Sequence, residues 1–491
     1  MRPVGPEPPP AGASLAGRAV RGSLWAAAGA YGSFVVNFGA VAALARFVSP
    51  AGFGTYALAY GYSQLISAVG LIPFGQAVVQ SPGVPGIADT ALVLTLLLRL
   101  GLLVLSIPAA FLAGHHNGAE VGLLLLELSA VNLLDGLRSA MAAVIERDLE
   151  YRRAAAVTIA ASACAAVISV VAAARGLGAQ ALVLREGLIA GLVLGTYVLL
   201  ARRWRLPSGR GFDRAAARRA WSFARSLFWF RALDQILARA DRVILGNTLG
   251  LAALGYFHQA KTLAALPQAA VAPATMQVAI ATFSKVRHEP VRLGRAFDLL
   301  QYFVTRLAPL VGLAVALFPE ALLATLYGPR WLPAAPALRV LGLYATVAPI
   351  LEGYRSLAVA SEAWPALRRS VIAHGVALVA GLVVLAPLAG GVGAAWATSL
   401  APLAGLAVLR GVAARRATRP PAENVAPLGA ALLAGGAAGA TAAAVVQAGP
   451  IASLALGLLA TCAAYAGALF LLEGGALRER ARYLLRARAA A

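Results

Sequence analysis

Apolar residues in this chain run almost unbroken for twenty to thirty positions at a time, and polar residues gather in the short stretches between the runs. A helix needs about 20 such residues to cross a hydrocarbon core about 30 Å thick, so each run predicts a membrane-spanning helix. The predicted spans are 23–45, 53–79, 88–113, 119–145, 154–174 and 178–201, then 223–246, 251–283, 298–318, 334–360, 365–387 and 391–412, and last 426–446 and 450–472. Pro and Gly inside them are tolerable, because neighbouring helices satisfy the backbone groups they free.

The connectors alternate in charge. Those on one side carry Arg18 and Arg21, Arg147 with Arg152 and Arg153, the dense series from Arg202 to Arg219, Arg287 to Arg295, Arg368 with Arg369, Arg410 to Arg419, and the tail from Arg478 to Arg488. Those on the other side hold Arg46, Arg175 and Arg330. An Arg-rich side marks the cytoplasm, which predicts cytoplasmic N- and C-termini. The stretch 1–22, with its Pro-rich start, is too polar to span and is expected to be a disordered cytoplasmic arm. The rest divides into a first lobe at 23–201, a basic linker at 202–222, a second lobe at 223–412, two further spans within 426–472 and a basic tail at 473–491.

Composition adds exclusions. With 60% hydrophobic and 13% charged residues, the chain lies far from the roughly 25% charged of soluble domains. The net charge of +22 sits beside apolar spans, where it meets membrane lipids and not nucleic acid. Cys164 and Cys462 both fall inside spans, giving neither a disulfide framework nor metal-ligand spacing. No phosphate-binding Gly-Lys-Ser/Thr loop and no nucleophile elbow occur, so no cofactor or metal is expected. Trp229, Trp331 and Trp364, near span ends, are expected to be interface anchors.

The two lobes repeat one another. The block from Ala51 to Tyr56 recurs from Ala252 to Phe257, Gln76 recurs as Gln277, and Pro108 as Pro309, each 201 residues on. The run Leu134-Asp135-Gly136-Leu137-Arg138-Ser139 recurs as Leu351-Glu352-Gly353-Tyr354-Arg355-Ser356. Each lobe has six spans starting on the same side, so the copies run parallel about an axis along the membrane normal and are expected to enclose a central cleft.

Charged side chains within spans are costly, about 2.5 to 3.5 kcal/mol each at mid-bilayer, and so should face partners or a wet cavity. Asp135 with Arg138, and Glu352 with Arg355, stand three apart on a helix face, one pair per lobe. On the seventh span Arg231, Asp234, Asp241 and Arg242 form one polar stripe at helical spacing. Arg99 and Arg306 lie in the third and ninth spans. Glu127 has no base within four residues, which suits it to carry a proton.

Several segments resemble the polysaccharide-synthesis, or Wzx-type, flippases of the multidrug/oligosaccharidyl-lipid/polysaccharide superfamily. They are Leu44-Ala45-Arg46, Pro50, Phe53-Gly54 and Tyr56 in the first half. In the second they are Arg239, Asp241, Ile244, Gly246, Leu249-Gly250, Leu254-Gly255-Tyr256, Ala260 and Leu266-Pro267. The resemblance implies an all-α integral membrane fold of about fourteen helices, MATE-like, with two parallel six-helix bundles around a cleft plus two C-terminal helices. It implies export, across a bacterial inner membrane, of an undecaprenyl-diphosphate-linked glycan such as a unit of O-antigen, capsule or exopolysaccharide. Partners would be the polymerase and glycosyltransferases of the same pathway. Under that resemblance Arg138, Arg355, Arg231 and Arg99 are the expected diphosphate ligands, because guanidinium matches phosphate oxygens bidentately and keeps its charge. Asp135, Glu352, Asp234, Asp241 and Arg242 are then charge pairs or gating groups. A multidrug antiporter of the same topology would hold cations against carboxylates, which the excess of arginine opposes. A membrane glycosyltransferase or polymerase would need a large outer loop or acidic donor-sugar motifs, and the outer connectors are short.

Overall fold

The computed structural model describes residues 15–70, 86–147, 151–201, 211–285, 289–416, 425–445 and 450–489, together with residues 74, 75, 78, 84, 207 and 209. Among them no strand occurs, and eight helices are long and apolar enough to cross a membrane. The helices are α1 (Leu15–Phe47), α2 (Pro50–Val69), α3 (Ile87–Asn117), α4 (Ala119–Arg147), α5 (Tyr151–Ala174) and α6 (Gln180–Leu199). After the basic connector come α7 (Arg214–Thr248), α8 (Leu251–Lys285), α9 (Pro290–Leu317), α10 (Ala335–Ala360), α11 (Trp364–Arg416), α12 (Val425–Val445) and α13 (Pro450–Ala489). A short helix, Pro319–Leu326, and a 3-10 turn, Pro329–Ala334, link α9 to α10. α11 is two spans in one, broken at Ala389 (φ −134°) and Gly390 (φ 57°). That left-handed conformation costs glycine least, and it falls in the gap expected between the spans 365–387 and 391–412.

Two boundaries differ from expectation. α1 begins at Leu15, within the stretch expected to be a disordered arm, so Arg18 and Arg21 ride on helix. The chain also divides into two compact units that do not break at the basic linker. The first comprises Met1–Phe47 and Tyr62–Ala232, the second Val48–Gly61 and Leu233–Ala491.

Within the first unit α3 and α4 form a hairpin around Gly118, at φ 99°. They cross so closely at Gly122 that a Cβ there would lie 2.5 Å from the Ala110 carbonyl oxygen. α1 lies along α5 through Gly29, where a Cβ would meet that of Ala155 at 2.7 Å. Ile87, Met141, Val144, Val193 and Tyr197 are buried together at the core of this unit.

The second unit repeats the hairpin's device. α9 and α10 cross at Gly342, where a Cβ would lie 2.5 Å from the Gly312 carbonyl oxygen. The acid-Gly-x-Arg blocks correspond as well: a polar chain from the preceding helix lies over each glycine, Arg99 over Gly136 in the first unit and Gln301 over Gly353 in the second. The early half of α2 packs here too. A Cβ on Gly54 would fall 1.7 Å from the Leu251 oxygen, and one on Gly255 would fall 1.8 Å from the Pro50 oxygen. These are corresponding positions of the repeat in reciprocal contact, so α2 and α8 cross about a local two-fold. Beside that crossing Trp331 is fully buried, edge-on to Phe53 at 5.2 Å, Tyr327 at 5.9 Å and Tyr256 at 6.0 Å. It is a packing core and not the expected interface anchor. Trp364 is exposed, and the Trp229 side chain lies outside the described residues.

α12 and α13 pair through Gly435 and Gly439, which face Tyr465 and Thr461. α13 is fastened to α9 by a buried cluster. Arg306 donates to both Glu473 oxygens at 2.5 and 2.9 Å, Tyr302 Oη donates to Glu473 at 2.9 Å, and Tyr465 Oη donates to the Arg306 carbonyl at 2.7 Å. Arg306 is therefore a tie between helices.

Candidate functional site

Four elements of the second unit, α7, α8, α10 and α11, enclose a cavity of about 340 Å³. Glycine again sets the approach: Leu237 of α7 comes within 2.2 Å of where a Cβ of Gly375 on α11 would be. That contact brings Arg239 and Arg242 to the face that carries His374.

The wall is cationic. Arg239 and Arg242 come from α7, His258 and Lys261 from α8, Glu352 and Arg355 from α10, and His374 and Thr398 from the two arms of α11. Arg355 donates from Nη1 to Glu352 Oε1 at 2.8 Å, and its Nη2 lies 3.3 Å from His374 Nδ1. A guanidinium only donates, so His374 accepts there and carries its proton on Nε2. Lys261 Nζ donates to Asp241 Oδ2 at 2.5 Å, and Asp241, 2% exposed, also accepts from the Arg242 backbone N–H at 2.9 Å. The Arg242 guanidinium lies 4.9 Å above the Tyr60 ring of α2. Among the described residues four cations thus stand against two carboxylates, Asp241 lying behind Lys261 and Glu352 on the wall. Arg239 Nε, Arg355 Nε and Thr398 Oγ1 are buried without a hydrogen-bond partner among the described residues. Buried donors left unpaired cost free energy, about 1 to 3 kcal/mol each, unless a ligand or water satisfies them.

Of the four arginines expected to hold a diphosphate, this cavity takes Arg355. Arg138 belongs to the first unit, where its Nη2 and Nε donate to Asp135 Oδ1 at 2.6 and 2.9 Å. Its side chain is 28% exposed against 18% for Arg355. Arg99, also in the first unit and half-buried, lies across Gly136, with Nε 2.8 Å from where a Cβ would be. That places it beside Asp135. Arg231 and Asp234 lie on α7, but their side chains are outside the described residues. Glu127, on α4, is half-buried and makes no ion pair or hydrogen bond among the described residues. Arg242, Asp241 and Glu352 all belong to the cavity or its backing. Lys261, His258, His374 and Thr398 were not singled out by sequence. Lys261 is one of two lysines in an Arg-rich chain, and its partner is twenty residues away on another helix, beyond the reach of an i, i+3 or i, i+4 rule.

A family model described as polysaccharide biosynthesis protein matches residues 43–336, more than half of the chain. The succinoglycan biosynthesis transport protein ExoT of Rhizobium meliloti (strain 1021) is 28% identical over 364 residues, 72% of this chain and 72% of that protein. The teichuronic acid biosynthesis protein TuaB of Bacillus subtilis (strain 168) is 23% identical over 132 residues, 27% of each chain. In fold, the chain is similar to the lipid II flippase MurJ in an inward closed conformation, with a TM-score of 0.74 at 13% identity over 93% of this chain and 100% of that one. It is also similar to an inward-facing multidrug resistance MATE family transporter, at 0.52 and 17% over 80% and 95%.

Proposed function

From the premise that this chain belongs to the polysaccharide biosynthesis protein family, we propose that it is a flippase, not an enzyme, carrying a polyprenyl-diphosphate-linked oligosaccharide between leaflets by alternating access. Its setting is a bacterial cytoplasmic membrane, with both termini in the cytoplasm. The name of ExoT, a transport protein of succinoglycan biosynthesis, supports the substrate class. The observation that carries the reading is the cavity of the second unit, where among the described residues four cations outnumber two carboxylates and Arg239, Arg355 and Thr398 of the lining each hold a buried polar atom without a partner. A lipid diphosphate brings about two negative charges and several acceptor oxygens, which match both. Arg239, Arg242, Lys261 and Arg355 hold the phosphates, and His374 and Thr398 add neutral donors. Arg138, Arg231 and Arg99 serve the same anion along its path, and Asp135, Glu352 and Asp241 hold the cations in place when the ligand is absent. A cationic drug would meet four like charges here, which disfavours the antiporter reading.

The test is binding and transport of a polyprenyl-diphosphate-linked saccharide by the purified chain in proteoliposomes. Arg242→Ala and Arg355→Ala are each expected to weaken binding roughly 10- to 100-fold, the worth of one charge-assisted hydrogen bond or two. Arg138→Ala should slow transport with expression unchanged. Full transport by the Arg242→Ala/Arg355→Ala double variant would remove this cavity from the mechanism.

A further inference from the structure

α7 is too long for its span. Its 35 residues rise about 52 Å, against a hydrocarbon core of about 30 Å, so the turns before the span expected at 223–246 are expected to stand beyond the apolar layer on the Arg-rich side. Those turns are fixed in rotation. Ala216 and Ala220 are fully buried, packed into the core of the first unit with Ile87, Met141 and Tyr197. At about 100° per residue, Arg214, Arg218 and Trp221 fall within about 60° of one another on the opposite face, with Arg219 on the flank. All four are exposed, Trp221 at 52%, and so is Phe212 just before the helix, at 47%.

The backbone under this face is pinned. Asp213 Oδ2 accepts the Ala216 N–H at 2.7 Å, and the Asp213 N–H donates to Thr90 Oγ1 at 2.9 Å. The Gly209 N–H donates to Asp89 Oδ1 at 2.6 Å. Both contacts tie the connector to the first turn of α3. The Trp221 ring stacks on Phe74 at 6.3 Å and remains half exposed. Among the described residues three exposed arginines therefore stand with the exposed carboxylate of Asp213 and the half-buried one of Asp89, interleaved with two aromatic rings. Aromatic rings settle at the level of lipid headgroups, and arginines there attract anionic ones. Elsewhere in the first unit Arg152, in the first turn of α5, lies over the exposed Trp25 ring of α1 at 5.4 Å.

We propose that the ledge formed by Phe212, Arg214, Arg218, Arg219 and Trp221 binds the phosphodiester headgroups of anionic lipids in the leaflet on the Arg-rich side. Held there, the first turns of α7 keep a fixed depth in the bilayer. This does not depend on what the cavity carries.

The experiment is native mass spectrometry of the full chain titrated with phosphatidylglycerol or phosphatidylcholine. The wild type should retain phosphatidylglycerol in preference. Arg214→Gln/Arg218→Gln/Arg219→Gln should lose roughly 5-fold in that binding per arginine, about 100-fold in all. Arg214→Lys/Arg218→Lys/Arg219→Lys should keep most of it, and Arg368→Gln/Arg369→Gln, in another Arg-rich connector, should behave as wild type. Wild-type binding by the triple Gln variant overturns the proposal. So does displacement of the lipid by inorganic phosphate alone, which would make the ledge a simple anion site. An unchanged melting temperature in detergent shows that the Gln variant is folded; if it melts, the Lys variant and its salt dependence decide the matter, since exposed charges are screened within about 8 Å at physiological ionic strength.

Discussion

Lys261 and Asp241 show why this cavity holds its charges. Asp241 is almost wholly buried and lies behind the wall, whereas Lys261 stands on the wall itself. Removing one partner of such a pair leaves a charge with no compensation, at a cost of about 3 to 5 kcal/mol, whereas replacing both by apolar or neutral groups is close to neutral. Lys261→Ala should therefore lower the thermal midpoint markedly, and Asp241→Asn/Lys261→Met should recover most of the loss. Transport by the double variant should stay impaired, because the wall has lost a cation and only the backing has lost an acid. A double variant that transports normally would show that the pair serves packing alone. The residue scale is also where sequence reading divides. The pairs Asp135–Arg138 and Glu352–Arg355 were legible, since an acid and a base three apart on one helix must meet, and they lie 2.6 and 2.8 Å apart. Lys261, His374 and Thr398 were not, because each becomes part of a site only when helices far apart in sequence close around it.

Among elements, glycine decides which helices touch. Gly54 and Gly255 face backbone oxygens, which cannot swing aside as a side chain can, so an added methyl must push α2 and α8 apart. Gly54→Ala and Gly255→Ala should each destabilise the second unit by about 1 to 3 kcal/mol, as overpacking does. Gly101→Ala and Gly191→Ala, where nothing lies within 4 Å, should be neutral or slightly stabilising. Equal melting temperatures for all four in detergent would contradict the crossing. Helix positions and the internal repeat were readable in the chain, because long apolar runs admit one kind of element and the corresponding blocks keep their glycines. The grouping of elements was not. That α2's first half packs with the second unit follows from the reciprocal crossing, and that Arg306 ties α9 to α13 follows from a partner, Glu473, which hydropathy alone assigns to the start of the tail.

For the whole molecule, the question is what gives transport its direction. Fixed cations in the cavity lower the barrier to an anion but favour neither leaflet. The membrane potential does, since each negative charge moved outward across 100 mV, inside negative, gains roughly 2.3 kcal/mol. A headgroup with about two charges is then biased by about 4.6 kcal/mol, roughly two-thousandfold in its distribution. Proteoliposomes with a potassium diffusion potential and no pH gradient should accumulate the lipid diphosphate on the positive side, and reversing the potential should reverse the accumulation. Glu127 offers the other route, a half-buried carboxylate without an ion-pair partner among the described residues. If it also carries a proton, wild type will show a further component driven by a pH gradient at zero potential, and Glu127→Gln will lose that component while keeping the response to potential. A wild type that ignores the potential but follows the pH gradient would transfer the driving role to Glu127. A Glu127→Gln variant unchanged in both assays would leave the potential as the sole source of direction.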